Sequence, residues 1–89
     1  FWIAKSRAKR AHAIFLECQM RNEMELGNYE KGALFGNQAI EIYEGIEWAV
    51  EAIDCCEMII KCWEKLGDFN NVERAKKKKY KFEWENEGG

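Results

Sequence analysis

Few of the 89 residues could act as nucleophiles, bases or metal ligands: there is one histidine, one serine, no threonine and four cysteines. A catalytic nucleophile needs a base beside it and an acid that orients the base. His12 lies in a basic segment, more than a helical turn and a half from Ser6. The cysteines lack the C-x2-C spacing of zinc sites and are predicted to be reduced, buried thiols: Cys18, Cys55, Cys56 and Cys62. The sequence therefore predicts no enzyme, no metal site and no cofactor.

The net charge of −2 hides separate basic and acidic segments. Residues 1–12 carry four bases and no acid, and residues 13–57 carry ten acids against two bases. The most basic run, here called the basic block, consists of Arg74, Lys76, Lys77, Lys78, Lys79 and Lys81. With Tyr80, Phe82 and Trp84 beside it, this block could contact phosphate anions while the rings stack on bases. Four consecutive lysines point all around a helix, however, so we favour a solvated helix face over an anion contact.

The carboxylates are numerous but fall mostly at helical surface positions. Glu17 lies four residues before Arg21, and Glu57 lies four residues before Lys61. Pairs at this spacing stabilise a helix by about 0.2–0.5 kcal/mol each. No glycine-rich loop that could cradle a phosphate is present, because the glycines at 32, 36 and 45 fall within helical periodicity.

The elements that carry these residues are predicted to be helices joined by two similar corners. The corners are Leu26-Gly27-Asn28-Tyr29 and Leu66-Gly67-Asp68-Phe69, forty residues apart in a chain without proline. In each corner the glycine suits the left-handed residue that ends a helix, and Asn or Asp suits the N-cap of the next helix. Matches in the flanking residues, Glu17 with Glu57 and Arg21 with Lys61, indicate an internal repeat.

Helix 1 is predicted from about Ile3 to Leu26, with two apolar stripes. The first stripe consists of Ala4, Ala8, Ala11, Phe15 and Cys18, and the second of Leu16, Met20 and Met24. Helix 2 is predicted to begin after Asn28. Its Gly32 and Gly36 lie one turn apart, where a neighbouring helix could approach closely.

The sequence leaves the end of helix 2 open. Gly45 could stop it as a C-cap glycine, or the helix could continue to a break near Asp54, which we favour. Helix 3 then covers roughly residues 55–66, burying Cys55 or Cys56, Ile59, Cys62 or Trp63, and Leu66, and helix 4 starts after Asp68. Apolar and charged residues alternate over 80–85 as in a strand, but a lone strand has no pairing partner, so we favour a frayed helix end.

These elements predict an all-α fold, an antiparallel bundle of two helix–turn–helix repeats in a single domain over residues 1–89. Repeat one would cover about residues 3–53 and repeat two about residues 54–84. The abrupt opening on Phe1-Trp2-Ile3 suggests a fragment of a longer protein. No apolar run approaches the roughly twenty residues of a membrane span, and no signal-peptide pattern is present, so an intracellular, cytoplasmic protein is expected.

The corner segments at 26–31 (Leu-Gly-Asn-Tyr-Glu-Lys) and 63–69 (Trp-Glu-Lys-Leu-Gly-Asp-Phe) resemble those of tetratricopeptide (TPR) repeats. That family stacks antiparallel helix pairs, and its first helices line a concave groove that binds peptides or partner proteins. The resemblance implies groove-facing positions at Glu17, Arg21, Glu25, Glu57, Lys61 and Lys65. The chain departs from the family at Met20 and Ile60, where the family has a small residue, and in its period, which is about thirty-four in the family.

Together these features predict a non-enzymatic helical-repeat scaffold whose groove binds a protein or peptide segment. Two repeats would also expose apolar end faces, so self-association or docking onto neighbouring sequence is expected. One alternative is a small helical nucleic-acid-binding domain that uses the basic block over Arg74–Lys81, although nucleic acid is the less favoured partner. Another is a homodimeric structural bundle joined along the apolar stripe Ile40–Ile53.

Overall fold

In the computed structural model, which describes residues 2–87 and the side chains of residues 7–87, the chain forms four α-helices. They are α1 (Trp2–Glu25), α2 (Tyr29–Gly45), α3 (Ala49–Leu66) and α4 (Phe69–Asn86). Each helix packs against the next one along the chain, and the described residues contain no strand. The prediction of an all-α helical bundle is confirmed.

The four helices lie in two layers. α1 and α3 are on the same side of α2, because the Cys55 thiol of α3 comes within 3.3 Å of Glu17 Oε1 of α1. α2 and α4 line a surface depression together on the other side. The Cα atoms span 43 × 30 × 14 Å, and the shortest extent matches two layers whose helix axes are about 8–10 Å apart.

The two predicted glycine corners have the expected geometry. Gly27 has φ 82° and Gly67 has φ 72°, in the left-handed region. At the first corner the Gly27 N–H donates to the Met24 carbonyl (3.0 Å) and the Asn28 N–H donates to the Glu23 carbonyl (2.8 Å), and the same pair of bonds closes the Gly67 corner. This is the Schellman arrangement, which satisfies carbonyls at a helix end.

The N-cap predictions at these corners differ in outcome. Asp68 caps α4, since its Oδ1 accepts from the Asn71 N–H at 3.2 Å. Asn28 stands at the N-cap position of α2 as predicted, but its side chain makes no cap hydrogen bond. Its amide Nδ2 instead donates to Glu23 Oε2 at 3.3 Å, across the corner toward α1.

A third corner separates α2 from α3, and the favoured break near Asp54 is wrong. α2 ends at Gly45 and α3 begins at Ala49, so Asp54 lies inside α3. The corner has the same Schellman bonds as the other two, with Glu47, at φ 61°, as the left-handed residue. The three left-handed residues are therefore evenly spaced, at 27, 47 and 67. The predicted boundary between repeats, at residues 53 and 54, would fall inside α3. The division of the chain into two repeats stays a prediction.

Replacing Glu47 with glycine is expected to raise the free energy of unfolding by about 1 kcal/mol, because a side chain at a left-handed position costs about that much. Chemical denaturation of the variant and the wild type measures the difference. Gly27→Ala serves as the reverse control and should lower stability by about the same amount, since its φ is 82° and nothing lies within 4 Å of an added Cβ. A Glu47→Gly variant less stable than the wild type would contradict a left-handed Glu47.

The core lies between the two layers. Its largest fully buried side chains include Met20 of α1, Ile40 and Tyr43 of α2, Ile59 of α3 and Phe82 of α4. These residues come from every helix, so the four helices share one core rather than forming two separate hairpins.

Only one of the two predicted stripes of α1 packs in this core. In the second stripe Leu16 and Met20 are buried and Met24 is half-buried, as expected. The described residues of the first stripe are all exposed: Ala8, Ala11, Phe15 and Cys18. The Ala4 side chain lies outside the described residues. Because α1 packs against other described helices on one side only, one stripe is left facing outward.

α3 differs from α1 because it packs against a helix on each side. Both Cys55 and Cys56 are buried for this reason, since adjacent residues on a helix point about 100° apart. Ile59 and Cys62 are buried as predicted, whereas Leu66, in the last turn, is 46% exposed. All four cysteines are free thiols, but the predicted burial is wrong for Cys18.

The predicted helical ending of the chain is confirmed over the described residues. α4 continues to Asn86, so the alternating pattern at 80–85 does not form a strand. Phe82 is buried, while Tyr80 is 61% and Trp84 is 64% exposed. Residues 88 and 89 lie outside the described part of the chain.

Candidate functional site

The six residues that the resemblance places along a groove are divided between α1 and α3, in the same layer. Three of them meet: Glu25 of α1 and Lys61 and Lys65 of α3 line one surface depression of about 420 Å³. Its remaining lining residues are Met24, Tyr29 and Glu64. We call this depression the α1/α3 groove. Met24 and Tyr29 give it an apolar floor, and the charged residues form its rim.

Glu17 has a different environment, at a point where three helices meet. Its Oε1 accepts a long hydrogen bond from the Tyr43 hydroxyl (3.4 Å) and one from the Cys55 thiol (3.3 Å). Its Oε2 lies 3.1 Å from Arg21 Nη2, and the Glu17 side chain is only 17% exposed. This carboxylate therefore connects α1 to both α2 and α3, and the predicted helix-supporting pair with Arg21 is present.

The surroundings of Glu17 keep both of its uncharged donors protonated. Burial raises the pKa of Tyr43, and the negative charge of Glu17 raises it further. The pKa of Cys55 is raised in the same way, first by burial and then by Glu17. Ionising either group would place a second negative charge beside the carboxylate, which is unfavourable away from water. The cluster is thus suited to holding helices together rather than to nucleophilic chemistry.

The side chains of Arg21 and Glu57 are 56% and 52% exposed. The expected pair between Glu57 and Lys61 is not formed. Glu57 Oε1 instead lies 3.9 Å from Lys79 Nζ of α4. Glu57 therefore faces the α4 side of α3 and does not join the α1/α3 groove.

An aromatic contact that the sequence did not indicate lies beside the Glu17 cluster. The rings of Tyr43 and Trp48 stack with centroids 6.4 Å apart and planes inclined by 7°. The Arg10 guanidinium of α1 lies 4.3 Å from the centroid of Trp48. A guanidinium over an indole face is attracted by the ring quadrupole. Trp48 thus connects the N-terminal half of α1 to the start of α3.

The basic block lies on α4, and two of its lysines are already paired with acids. Lys81 Nζ lies 3.1 Å from Glu44 Oε2 of α2, and Lys79 pairs with Glu57 of α3. The hydrogen bond to Glu44 raises the pKa of Lys81. Arg74 and Lys78 line the depression between α2 and α4 together with Glu41. Acids from two other helices therefore neutralise part of the block, which lowers its attraction for phosphate.

The buried thiols make the stability of the fold sensitive to alkali. Burial raises the pKa of Cys56 from 9.0 to about 11, and burial also raises the pKa values of Cys55 and Cys62. Between about pH 9 and about pH 11 the unfolded chain has released the Cys56 thiol proton, whereas the folded chain retains it. The free energy of unfolding therefore does not depend on these thiols below about pH 9. Above that pH it should fall by about 1.4 kcal/mol per pH unit for each such thiol.

Denaturant titrations at about pH 8 and about pH 10, under reducing conditions, measure this dependence. Cys56→Ser removes one titrating thiol and should show a shallower decline than the wild type. Equal stability of the wild type at both pH values would contradict the burial of these thiols.

The remaining candidates for chemistry are dispersed. His12 is exposed on α1, and the Ser6 side chain lies outside the described residues. Among the residues described, no three His, Cys, Asp or Glu side chains group as a metal site requires. None of the helices within residues 2–87 is both long and apolar enough to cross a bilayer.

Comparison with known proteins found no matching family model, curated protein or solved structure. The resemblance of the corner segments to tetratricopeptide repeats stays a prediction from the sequence.

Proposed function

We propose that this chain is a non-enzymatic protein-interaction module whose α1/α3 groove binds a segment of a partner protein. The observation that carries the proposal is the meeting of Glu25, Lys61 and Lys65 around an apolar floor. The motif register predicts groove positions for all three residues, and they come from two different helices. Apolar floors with a few convergent polar groups are typical of binding clefts.

The composition of the groove indicates what a bound segment would carry. Lys61 and Lys65 are exposed and make no ion pair with the other described residues, so their ammonium groups can pair with a partner's carboxylates. Met24 and Tyr29 can receive an apolar side chain. The complementary segment therefore combines an apolar residue with nearby acidic residues.

A tetratricopeptide-like arrangement is the finer assignment that we propose. α1 and α3, the first helices of the two successive pairs, lie side by side in one layer, and the groove lies between them. α2 and α4 form the second layer. This order of helices supports the resemblance of the two glycine corners, and it supports a scaffold function over an enzymatic one.

Peptide binding tests the proposal directly. Immobilised synthetic ten-residue peptides, each with one Leu or Phe flanked by Asp and Glu, would be compared with peptides carrying Lys in place of the acids. We expect the acidic set to bind, and Lys61→Glu/Lys65→Glu to weaken binding about tenfold, as the loss of two exposed charge pairs predicts.

Lys77→Glu/Lys78→Glu is the matched control, because it makes the same change in net charge at exposed positions of α4. It should leave peptide affinity within about twofold of the wild type, a difference of about 0.4 kcal/mol. Equal losses in the two double variants would show a general charge effect and overturn the groove assignment. Loss only in the α4 variant, with salt-sensitive binding to single-stranded nucleic acid, would favour the basic block instead.

A further inference from the structure

α1 presents a second apolar surface that no other described helix covers. We call it the outer face of α1, and it consists of Ala8, Ala11, Ile14, Phe15 and Cys18. Ile14 is 43% and Phe15 is 57% exposed, and the other three residues are exposed as well. Helices at a protein surface normally place charged and polar residues opposite their buried stripe. An apolar outer face on a helix whose inner face is already buried indicates that both sides pack.

The charges of α1 are opposite in its two halves. The first half carries only bases: Lys5, Arg7, Lys9 and Arg10. The second half carries Glu17, Glu23 and Glu25 against Arg21. Arg10 and Glu17 contact Trp48 and the three-helix junction, but Arg7 and Glu25 are exposed at opposite ends of the helix. The outer side of α1 is therefore complementary to a copy of itself that runs in the opposite direction, whereas a parallel copy would place like charges together.

We propose that two copies of this chain associate through the outer faces of their α1 helices, packed antiparallel about a two-fold axis level with the midpoint between Ile14 and Cys18. In such an isologous contact each pair of facing residues occurs twice, and only residues beside the axis meet their own counterparts. Phe15 then packs beside the Phe15 of the second copy. The small side chains of Ala8, Ala11 and Cys18 on either side of it let the two helices approach closely.

The same axis brings the opposite charges together. Arg7, Ile14 and Glu25 are seven and eleven residues apart, about two and three helical turns, so they lie along one line at the edge of the outer face, where Glu25 also belongs to the rim of the α1/α3 groove. With the axis midway between Ile14 and Cys18, Arg7 of one copy lies level with Glu25 of the other, and Arg21 lies level with Ala11. Each dimer would thus contain this charge pair twice, and both side chains are exposed in the single chain.

The exposed aromatics of α4 are a less suitable partner for the outer face. Tyr80 and Trp84 lie on the helix that carries the basic block, which would repel the basic half of α1. A contact between α1 of one copy and α4 of another also leaves α4 of the first copy and α1 of the second free. Further copies could then bind, and the assembly would stay open-ended. The antiparallel α1 pair closes at two copies.

The proposed interface has the size of one helix face. α1 has 24 residues and is about 36 Å long, so the contact belongs at the small end of specific interfaces. We therefore expect a dissociation constant in the range of about 1–100 μM. This association shares Glu25 with the α1/α3 groove, but it is measured by mass and not by peptide binding, so the two proposals can fail separately.

Sedimentation equilibrium of the full chain over about 1–500 μM tests the proposal, a range that brackets the expected constant. The wild type should rise from the 10.5 kDa chain mass to twice that mass and no further. Phe15→Glu should remain monomeric with unchanged helicity by circular dichroism, because Phe15 is already exposed in the single chain. Trp84→Glu, an equally exposed aromatic on α4, is the matched control and should dimerise like the wild type.

A charge exchange tests the antiparallel orientation. Arg7→Glu and Glu25→Arg should each weaken the dimer, about tenfold for two repulsive contacts, and the double variant should restore it. A wild-type mass of 10.5 kDa at every concentration would overturn the proposal. So would masses above two chains, a monomeric Trp84→Glu, or a double variant as weak as the single ones.

Discussion

Replacing Gly36 with alanine is expected to lower the free energy of unfolding by about 1–3 kcal/mol, the usual cost of overpacking a filled core. An alanine Cβ at this position would lie 2.6 Å from Met20 Sδ and 2.7 Å from Ile59 Cγ1. Both neighbours are themselves fully buried, Met20 in α1 and Ile59 in α3. Ile59 is β-branched and has few alternative rotamers, so α2 would have to move away from α1 and α3.

Gly45→Ala is the matched control for this prediction. Gly45 is also a helical residue of α2, but an added Cβ would have nothing within 4 Å. Alanine should therefore raise stability there by about 0.5 kcal/mol through the lower entropy of the unfolded chain. Urea denaturation of the two variants gives the difference directly. A stabilising Gly36→Ala would contradict the close approach of three helices at this point.

The close approach at Gly36 and the two glycine corners could be predicted from the sequence because glycine has a distinct backbone and steric signature. The third corner was predicted only as the less favoured alternative, an end of helix 2 at Gly45, because its left-handed position is occupied by Glu47 and not by glycine. The stripe of apolar residues also continues across that corner, from Ile40 to Ile53, so helical periodicity did not reveal the break. The third corner lies midway between the two glycine corners, twenty residues from each, and this midpoint was the signal that could have located it.

The burial of α1 shows a second limit of sequence periodicity. The helix has two apolar stripes, and periodicity alone cannot tell which one faces the rest of this chain. The packing decides which stripe is buried: Met20 of the second stripe lies beside Gly36 of α2, which is also next to Ile59 of α3. The first stripe then becomes the outer face, which the sequence had indicated as a packing surface without indicating its partner.

The candidate site was predicted in part, because α1 and α3 do not have the same neighbours. A forty-residue offset aligns the fully buried Met20 with Ile60, which is half-buried, whereas the adjacent Ile59 is fully buried. α1 packs against other described helices on one side and α3 packs on both, so matching positions of the two helices face different surroundings. Glu17 therefore points into a three-helix junction, whereas Glu57 points toward α4. Matching residues of the two predicted repeats do not share a side-chain environment.

Replacing Glu17 with alanine should therefore destabilise the fold by about 1–3 kcal/mol, the cost of leaving a buried polar group without its partner. The change removes the acceptor of the Tyr43 hydroxyl and of the Cys55 thiol. Tyr43 is only 1% exposed, so water cannot readily replace the carboxylate. The loss of the exposed pair with Arg21 adds little, since pairs of this kind contribute about 0.3–0.5 kcal/mol.

Two further variants separate this structural role from a purely electrostatic one. Glu57→Ala removes the equivalent carboxylate of α3, which is half-exposed and pairs with Lys79 at 3.9 Å, so its effect should stay within about 0.5 kcal/mol. Glu17→Gln keeps an oxygen acceptor and should retain most of the stability that Glu17→Ala loses. Equal, small losses at Glu17 and Glu57 would contradict the junction and return Glu17 to the surface role that the repeat register assigns to it. A large loss at Glu17 alone would mean that binding experiments on the groove must leave this residue unchanged, because its removal alters the scaffold itself.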